Sequence, residues 1–137
     1  MTFSSSLAGL PGFLAYMGGA IAFFIIFQII YTLITPHREF ALIRQGNLAA
    51  AVALAGTLIG FALPVSSVIA HAVSLMDFAI WATIALIVQL LVFVVTSFTM
   101  KGLSVRIERD ELAAGLYLAA VSVSVGLLNA ACMTPSA

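Results

Sequence analysis

The sequence predicts an all-α, polytopic membrane protein with four transmembrane helices arranged as two repeated helical hairpins. Three observations carry that expectation. Hydrophobic residues make up 64% of the chain, and Asp, Glu, Lys and Arg together only 7%, where soluble domains run near ~25% charged. The apolar residues fall into four long runs, Leu14–Thr35, Asn47–Val73, Phe78–Met100 and Leu112–Met133, none of which contains Asp, Glu, Lys or Arg. All five Lys and Arg stand in two of the intervening turns. A domain of 137 residues in water must cover its surface with polar groups, and so few charges cannot do it.

Each run is long enough to span, because a bilayer core of ~30 Å needs about 20 residues at ~1.5 Å rise. Ahead of the first, Met1 to Leu10 holds no Lys or Arg, so no cleaved signal peptide is expected. Thr35-Pro36 reads as an N-cap with proline at the first helical position, opening a short segment to Gln45. There Phe40, Leu42 and Ile43 alternate with Arg38, Glu39 and Arg44, a pattern that suits a piece in the headgroup layer and equally a plain loop. His37 has no partner by spacing. In the second run Gly56 and Gly60 form a small-xxx-small motif. Pro64 then frees the carbonyl near Gly60 and kinks the span, either for packing or as a substrate-binding break. Ser74, with Asp77 three positions on, resembles a capping box that opens the third run.

Arg38 and Arg44 lie between runs one and two, and Lys101, Arg106 and Arg109 between runs three and four. The positive-inside rule puts both basic loops in the cytoplasm and both termini outside. The whole chain, 1–137, is one domain. A 64-residue shift lays Ile43, Leu48, Ala49, Ala50, Leu54, Ala55 and Leu63 on Ile107, Leu112, Ala113, Ala114, Leu118, Ala119 and Leu127. A shift of 61 lays Gln28 and Thr35 on Gln89 and Thr96. These pairs suggest repeat halves of about 10–73 and 74–134, each a hairpin, related by an axis along the membrane normal.

Helix contacts in lipid come from close packing and hydrogen bonds, so each span is expected to bury its stripe of small or polar residues. The stripes are Gly18, Ile21, Ile25, Gln28, Thr32 and Thr35; Ala49, Ala53, Gly56, Gly60, Ser67 and His71; Ala82, Ala85, Gln89, Val92, Thr96 and Thr99; and Gly115, Ala119, Ser122, Gly126 and Asn129. Under the 64-residue shift the second and fourth stripes stand two positions apart, about 200° of helix rotation. Either the halves have diverged or their faces meet different neighbours. Gln28 and Gln89 sit mid-span, where an unpaired amide is costly, so they are expected to face protein or water and can face each other. They read either as interhelical glue or, with Thr32, Thr96 and Asn129, as a hydrophilic path. At the outer interface His71 and Asp77 are candidates for a pH-sensitive pair.

Several function classes drop out. Formal net charge is zero, which leaves no basic field for nucleic acid. One cysteine, Cys132, allows neither an intrachain disulfide nor a multi-thiolate metal site. The sequence carries no phosphate-cradling glycine loop, zinc-protease helix motif or nucleophile elbow, and no carboxylate lies within a span. Neither a catalytic role nor a cofactor is expected.

Ile43-Arg-Gln-Gly-Asn-Leu-Ala-Ala-Ala51, with Gly56, Gly60, Pro64, Gln89, the Arg-Ile-Glu-Arg string at 106–109 and the ending Gly126-Leu-Leu-Asn-Ala-Ala-Cys-Met133, resembles domain-of-unknown-function family 350, the YjfL-like bacterial inner-membrane proteins. The likeness runs from about Leu14 to Met133. It implies four spans in two hairpins and residence in the bacterial cytoplasmic (inner) membrane, and it supplies no reaction or catalytic residues. The family's association with phage-shock-type membrane-coat proteins implies a part in envelope stress or membrane maintenance. The expectation is a homo-oligomeric, non-enzymatic component whose Arg38, Arg44, Lys101, Arg106 and Arg109 engage lipid or a peripheral partner. The alternative is an oligomeric channel or transporter for a small cation or polyamine, lined by the mid-span amides and hydroxyls.

Overall fold

A computed structural model describes residues 3–133, and among them every regular element is helical. Phe3–Ser6 (α1) and a 3-10 turn over Leu7–Gly9 lead into α2, Leu10–Ile34. α2 starts ahead of the expected Leu14, since Pro11 falls in its first turn, where a missing N–H leaves no helical bond unmade. Then come α3 (Glu39–Arg44), α4 (Leu48–His71), α5 (Leu75–Thr99), α6 (Leu103–Glu108) and α7 (Leu112–Cys132). Four of these helices are long and apolar enough to cross a membrane. α3 and α6 are single short helices in the two basic turns, so both lie at the same end of the bundle.

The expectation for Thr35 is corrected. It closes α2 instead of opening the next helix: its backbone is extended, and its hydroxyl donates to the Tyr31 carbonyl at 3.0 Å. Pro36 is the cause, because a residue before proline is pushed out of the α region; helix resumes only after Arg38. The Ser74 motif does act at the start of α5. Ser74 Oγ accepts the Asp77 N–H and Asp77 Oδ2 accepts the Val73 N–H, each at 3.1 Å. Pro64 sits inside α4, which stays helical from Leu48 to His71.

α4 and α7 run parallel and form the tightest pair in the bundle. Four glycines make that possible: Gly56 lies against Ala119, Gly60 against the Ser122 carbonyl, Gly115 against the Ala49 carbonyl and Gly126 against the Gly60 carbonyl. At each position an added methyl would meet the facing backbone. Where the glycine hydrogen points at a carbonyl, a weak Cα–H···O contact replaces the missing side chain. Pro64 leaves the Gly60 carbonyl without its helical N–H partner, and Gly126 faces that same oxygen. α5 packs across both members of the pair.

α2 is held differently, and of its expected inner stripe only Thr35 is buried. Gly18, Ile21 and Ile25 are exposed, and Gln28 and Thr32 only half-buried. The inward residues are Ala20, Phe27 and Tyr31, and the rings of Phe27 and Phe61 stack with centroids 4.6 Å apart. Phe78 on α5 takes Tyr16 and Phe23 edge-on at 5.6 and 5.7 Å. A helix that makes few close backbone contacts, as α2 does, leaves a gap that small residues cannot fill and aromatic rings can.

This packing separates two kinds of glycine. Gly56→Ala forces α4 away from Ala119 and is expected to lower stability by ~1–3 kcal/mol, the usual cost of overpacking. Gly18→Ala, with nothing within 4 Å of the new methyl, is expected to be neutral or slightly stabilising. Thermal unfolding in detergent micelles, followed by far-ultraviolet circular dichroism, measures both.

Candidate functional site

The two basic turns are built alike. α3 ends on Gly46 (φ 85°), with Asn47 N–H donating to Leu42 O and Gly46 N–H to Ile43 O, both at 2.9 Å. α6 ends on Asp110 (φ 60°), with Glu111 N–H donating to Arg106 O at 3.0 Å and Asp110 N–H to Ile107 O at 2.9 Å. Both are left-handed helix stops of the Schellman type. Glycine reaches that conformation freely; aspartate does so at a cost, which a hydrogen bond of its short side chain can offset.

That side chain bonds across to the other turn. Asp110 Oδ1 accepts the Ala49 N–H at 2.9 Å, setting a negative charge at the positive N-terminus of α4. Asn47 returns the exchange. Its Oδ1 accepts the Ala50 N–H at 2.8 Å, capping α4, while Nδ2 donates to Ile107 O at 2.9 Å and Glu108 O at 3.3 Å. Those carbonyls belong to the last turn of α6, where helix carbonyls lack their regular partners and Ile107 O also accepts the Asp110 N–H. Each turn thus completes a helix end of the other, and the two make one cap.

His37 is the clearest correction to the reading by spacing. It has two partners: Nε2 lies 3.2 Å from Glu39 Oε1 and Nδ1 lies 3.0 Å from Ser104 Oγ on α6. The side chains of His37 and Glu39 are both fully enclosed. Tyr31 Oη lies beside the Glu39 and Thr57 side chains. The Glu39 signal was visible two residues along the chain; the contribution of Ser104, 67 positions away, was not.

These bonds decide the charge of the cap's outer surface. Glu39 is buried, Asp110 is engaged with α4, and Glu111 Oε2 is 2.5 Å from Arg106 Nε. Arg38, Arg44, Lys101 and Arg109 are exposed and make no ion pair among the described residues, with Glu108 the one acid left beside them. The cap holds all five basic residues and four of the five acids, a formal balance of +1 in a chain of zero net charge, and its unpaired side chains are mostly basic.

The mid-span groups do not form one connected set. Gln89 is buried, and its Nε2 donates to Ser122 O at 3.2 Å. Gln28 does not meet it. Gln28 lies at an apolar groove with Met17, Ala20, Ile21, Phe24, Ile25 and Leu58, and its Nε2 has no partner. Thr32 Oγ1 donates to Ile29 O at 2.8 Å, whereas Thr96 Oγ1 and Asn129 Nδ2 are buried without partners among the described residues. Gly56, Gly60 and Pro64 belong to the α4–α7 seam. At the far end His71 and Asp77 line one pocket but do not bond each other: His71 Nδ1 is 2.9 Å from Ser67 O, and Asp77 holds Val73.

Comparison with known proteins agrees with this architecture. The family model described as Domain of Unknown Function (DUF350) matches residues 5–133. The chain belongs to that family. It is 44% identical over 128 residues to "UPF0719 inner membrane protein YjfL" of Escherichia coli K12, covering 93% of this chain and 97% of the relative. It is 26% identical over 119 residues to "UPF0719 transmembrane protein YshE" of Bacillus subtilis, covering 85% and 89% respectively. No solved structure matches. With its four apolar helices, the DUF350 chain is a multi-pass inner-membrane protein.

The bonds across the cap make Asn47 the residue to alter. Asn47→Ala removes an N-cap and two donations to α6 and is expected to cost ~2–3 kcal/mol. Asn47→Asp keeps the cap on α4 but sets a carboxylate against the Ile107 and Glu108 carbonyls, so it is not expected to rescue. Denaturation in micelles, with hydrogen exchange at Ala49, Ala50 and Arg109, reads both effects.

Proposed function

We propose that this protein is a homo-oligomeric, non-enzymatic component of the bacterial cytoplasmic membrane that docks a peripheral cytoplasmic partner on its basic cap, in envelope stress or membrane maintenance. The observation behind this is the consolidation of two short turns into one surface by Asn47, Asp110 and the His37–Ser104 bond. Either turn alone offers a peripheral protein little to hold. Joined, they present Arg38, Arg44, Lys101 and Arg109 on a rigid base, with three of the cap's four acids already committed elsewhere. All five basic residues at one end also support an orientation with this cap in the cytoplasm and both termini outside. An acidic amphipathic helix of a phage-shock-type coat protein, resting on the adjacent anionic lipid, suits such a surface.

Buried polar atoms in the spans without partners among the described residues, Gln28 Nε2, Gln89 Oε1, Thr96 Oγ1 and Asn129 Nδ2, support a second reading as a channel for a small cation assembled from several copies. Oriented protein in liposomes tests it: monovalent-cation or polyamine flux no greater than in empty vesicles dismisses that reading.

For the docking reading, the combined reversal Arg38→Glu, Arg44→Glu, Lys101→Glu and Arg109→Glu is expected to cut recovery of the peripheral partner in pull-downs at least tenfold. Arg106→Glu, at a residue already tied to Glu111, is expected to have a smaller effect. Equal recovery from wild type and a monodisperse fourfold variant rejects the docking role.

A further inference from the structure

We infer that the pocket at the end of the bundle remote from the basic cap is a binding site for a primary alkylammonium group. It is a cleft of about 300 Å³ where the end of α4, the start of α5 and the end of α7 meet, lined by Val68, His71, Val73, Asp77, Trp81 and Cys132, among others.

The polar atoms on its wall have identifiable roles. His71 Nδ1 lies 2.9 Å from the Ser67 carbonyl. A carbonyl only accepts, so Nδ1 carries the hydrogen, and in the neutral form of the ring Nε2 is a bare acceptor. Asp77 gives Oδ2 to the Val73 N–H, which leaves Oδ1 without a partner among the described residues. Asp77, and His71 in its neutral form, therefore offer lone pairs to whatever enters. Trp81, one helical turn beyond Asp77, supplies an aromatic ring, and Val68 and Val73 supply apolar wall.

Charge completes the case. Every Lys and Arg of the chain lies at the opposite end, a helix length of more than ~30 Å away. Among the described residues no Lys or Arg answers the Asp77 carboxylate. A ligand matching the cleft brings positive charge, N–H donors for two acceptors, and a short apolar arm against the ring and the valines; a primary ammonium on a short alkyl chain has all three. The ethanolamine headgroup of a lipid and a free small amine share that chemistry.

Asp77 also caps α5, and one substitution separates the two roles. Asp77→Asn keeps an oxygen for the Val73 N–H and removes the charge. Trp81 is the only tryptophan in the chain, so its emission reports on this cleft alone. The full-length protein in neutral detergent is titrated with n-butylammonium, tetramethylammonium and sodium at constant ionic strength. The expected result is a saturable change in emission with n-butylammonium, at least fivefold weaker binding of tetramethylammonium, which has no N–H, and no saturation with sodium. Asp77→Asn, with unchanged melting temperature, is expected to weaken butylammonium binding at least tenfold, and His71→Phe severalfold. In phosphatidylcholine nanodiscs, loss of the butylammonium response as phosphatidylethanolamine is added identifies the lipid headgroup as occupant; a response that persists identifies a free amine. Absence of saturation, equal response to sodium, or an Asp77→Asn variant that binds as tightly as wild type overturns the assignment.

Discussion

The structure depends on direct contact between the backbones of α4 and α7. Apolar side chains gain nothing from one another in a solvent that is itself apolar, so helices in a bilayer are held by close approach and by satisfied polar groups. Gly56, Gly60, Gly115 and Gly126 supply the approach. The seam then fixes the rest. It brings the N-terminal ends of α4 and α7 together, so Asp110 reaches Ala49 and Asn47 reaches the end of α6. It also offers α5 a groove between two close helices. At the far end Ser67 Oγ donates to Ala130 O at 3.1 Å, which holds α4 and α7 together beside the cleft that contains His71 and Asp77.

The basic cap shows how a nearly uncharged chain produces a directional electrostatic surface. Polar groups are costly beside hydrocarbon unless each has a partner. The acids of the two turns meet that demand internally: Glu39 under the cap, Asp110 on a helix terminus and Glu111 on Arg106. The bases, with long flexible stems, remain outside where headgroup phosphates solvate them. Only Glu39 is buried; Asp110 and Glu111 stay at the surface but are tied to the start of α4 and to Arg106, which leaves Arg38, Arg44, Lys101 and Arg109 exposed and without ion pairs among the described residues.

Much of the fold was legible because hydrocarbon is a strict solvent. Four uncharged runs interrupted by charged turns admit few alternatives. Gly56, Gly60, Gly115 and Gly126 could be placed inside because only close packing explains such residues in a helix. α2 escaped that logic. Its glycine-to-threonine stripe looked like the others, yet Phe27 and Tyr31 face inward, because the distance between helices decides whether small or large residues fill a contact, and no residue pattern states that distance. The cap was hidden for a related reason. Asn47 was legible as part of a family string and as the start of a span, but its bonds to Ile107 and Glu108 join residues 60 and 61 positions apart. Thr35 misled through local chemistry alone: threonine before proline suits a helix start, and here the same pair makes a stop.

The two halves are alike in some respects and not in others, for a physical reason. Gly46 and Asp110 stand 64 positions apart and end their helices by the same pair of backbone bonds. A helix stop needs only one left-handed residue and its neighbours, so a local rule can repeat with different side chains. The seam does not repeat that way. Moved by the same 64 positions, Gly56 and Gly60 fall on Ala120 and Ser124, both exposed, whereas α7 contacts its partner through Gly115, Ala119, Ser122 and Gly126. The offset of two positions in the small-residue stripes is therefore real in three dimensions. α4 is enclosed by α7 on one side and by α5 and α2 on others, while α7 keeps one face to the lipid. Parallel helices at unequal depth in a bundle cannot use equivalent faces, so matching turns coexist with unmatched packing.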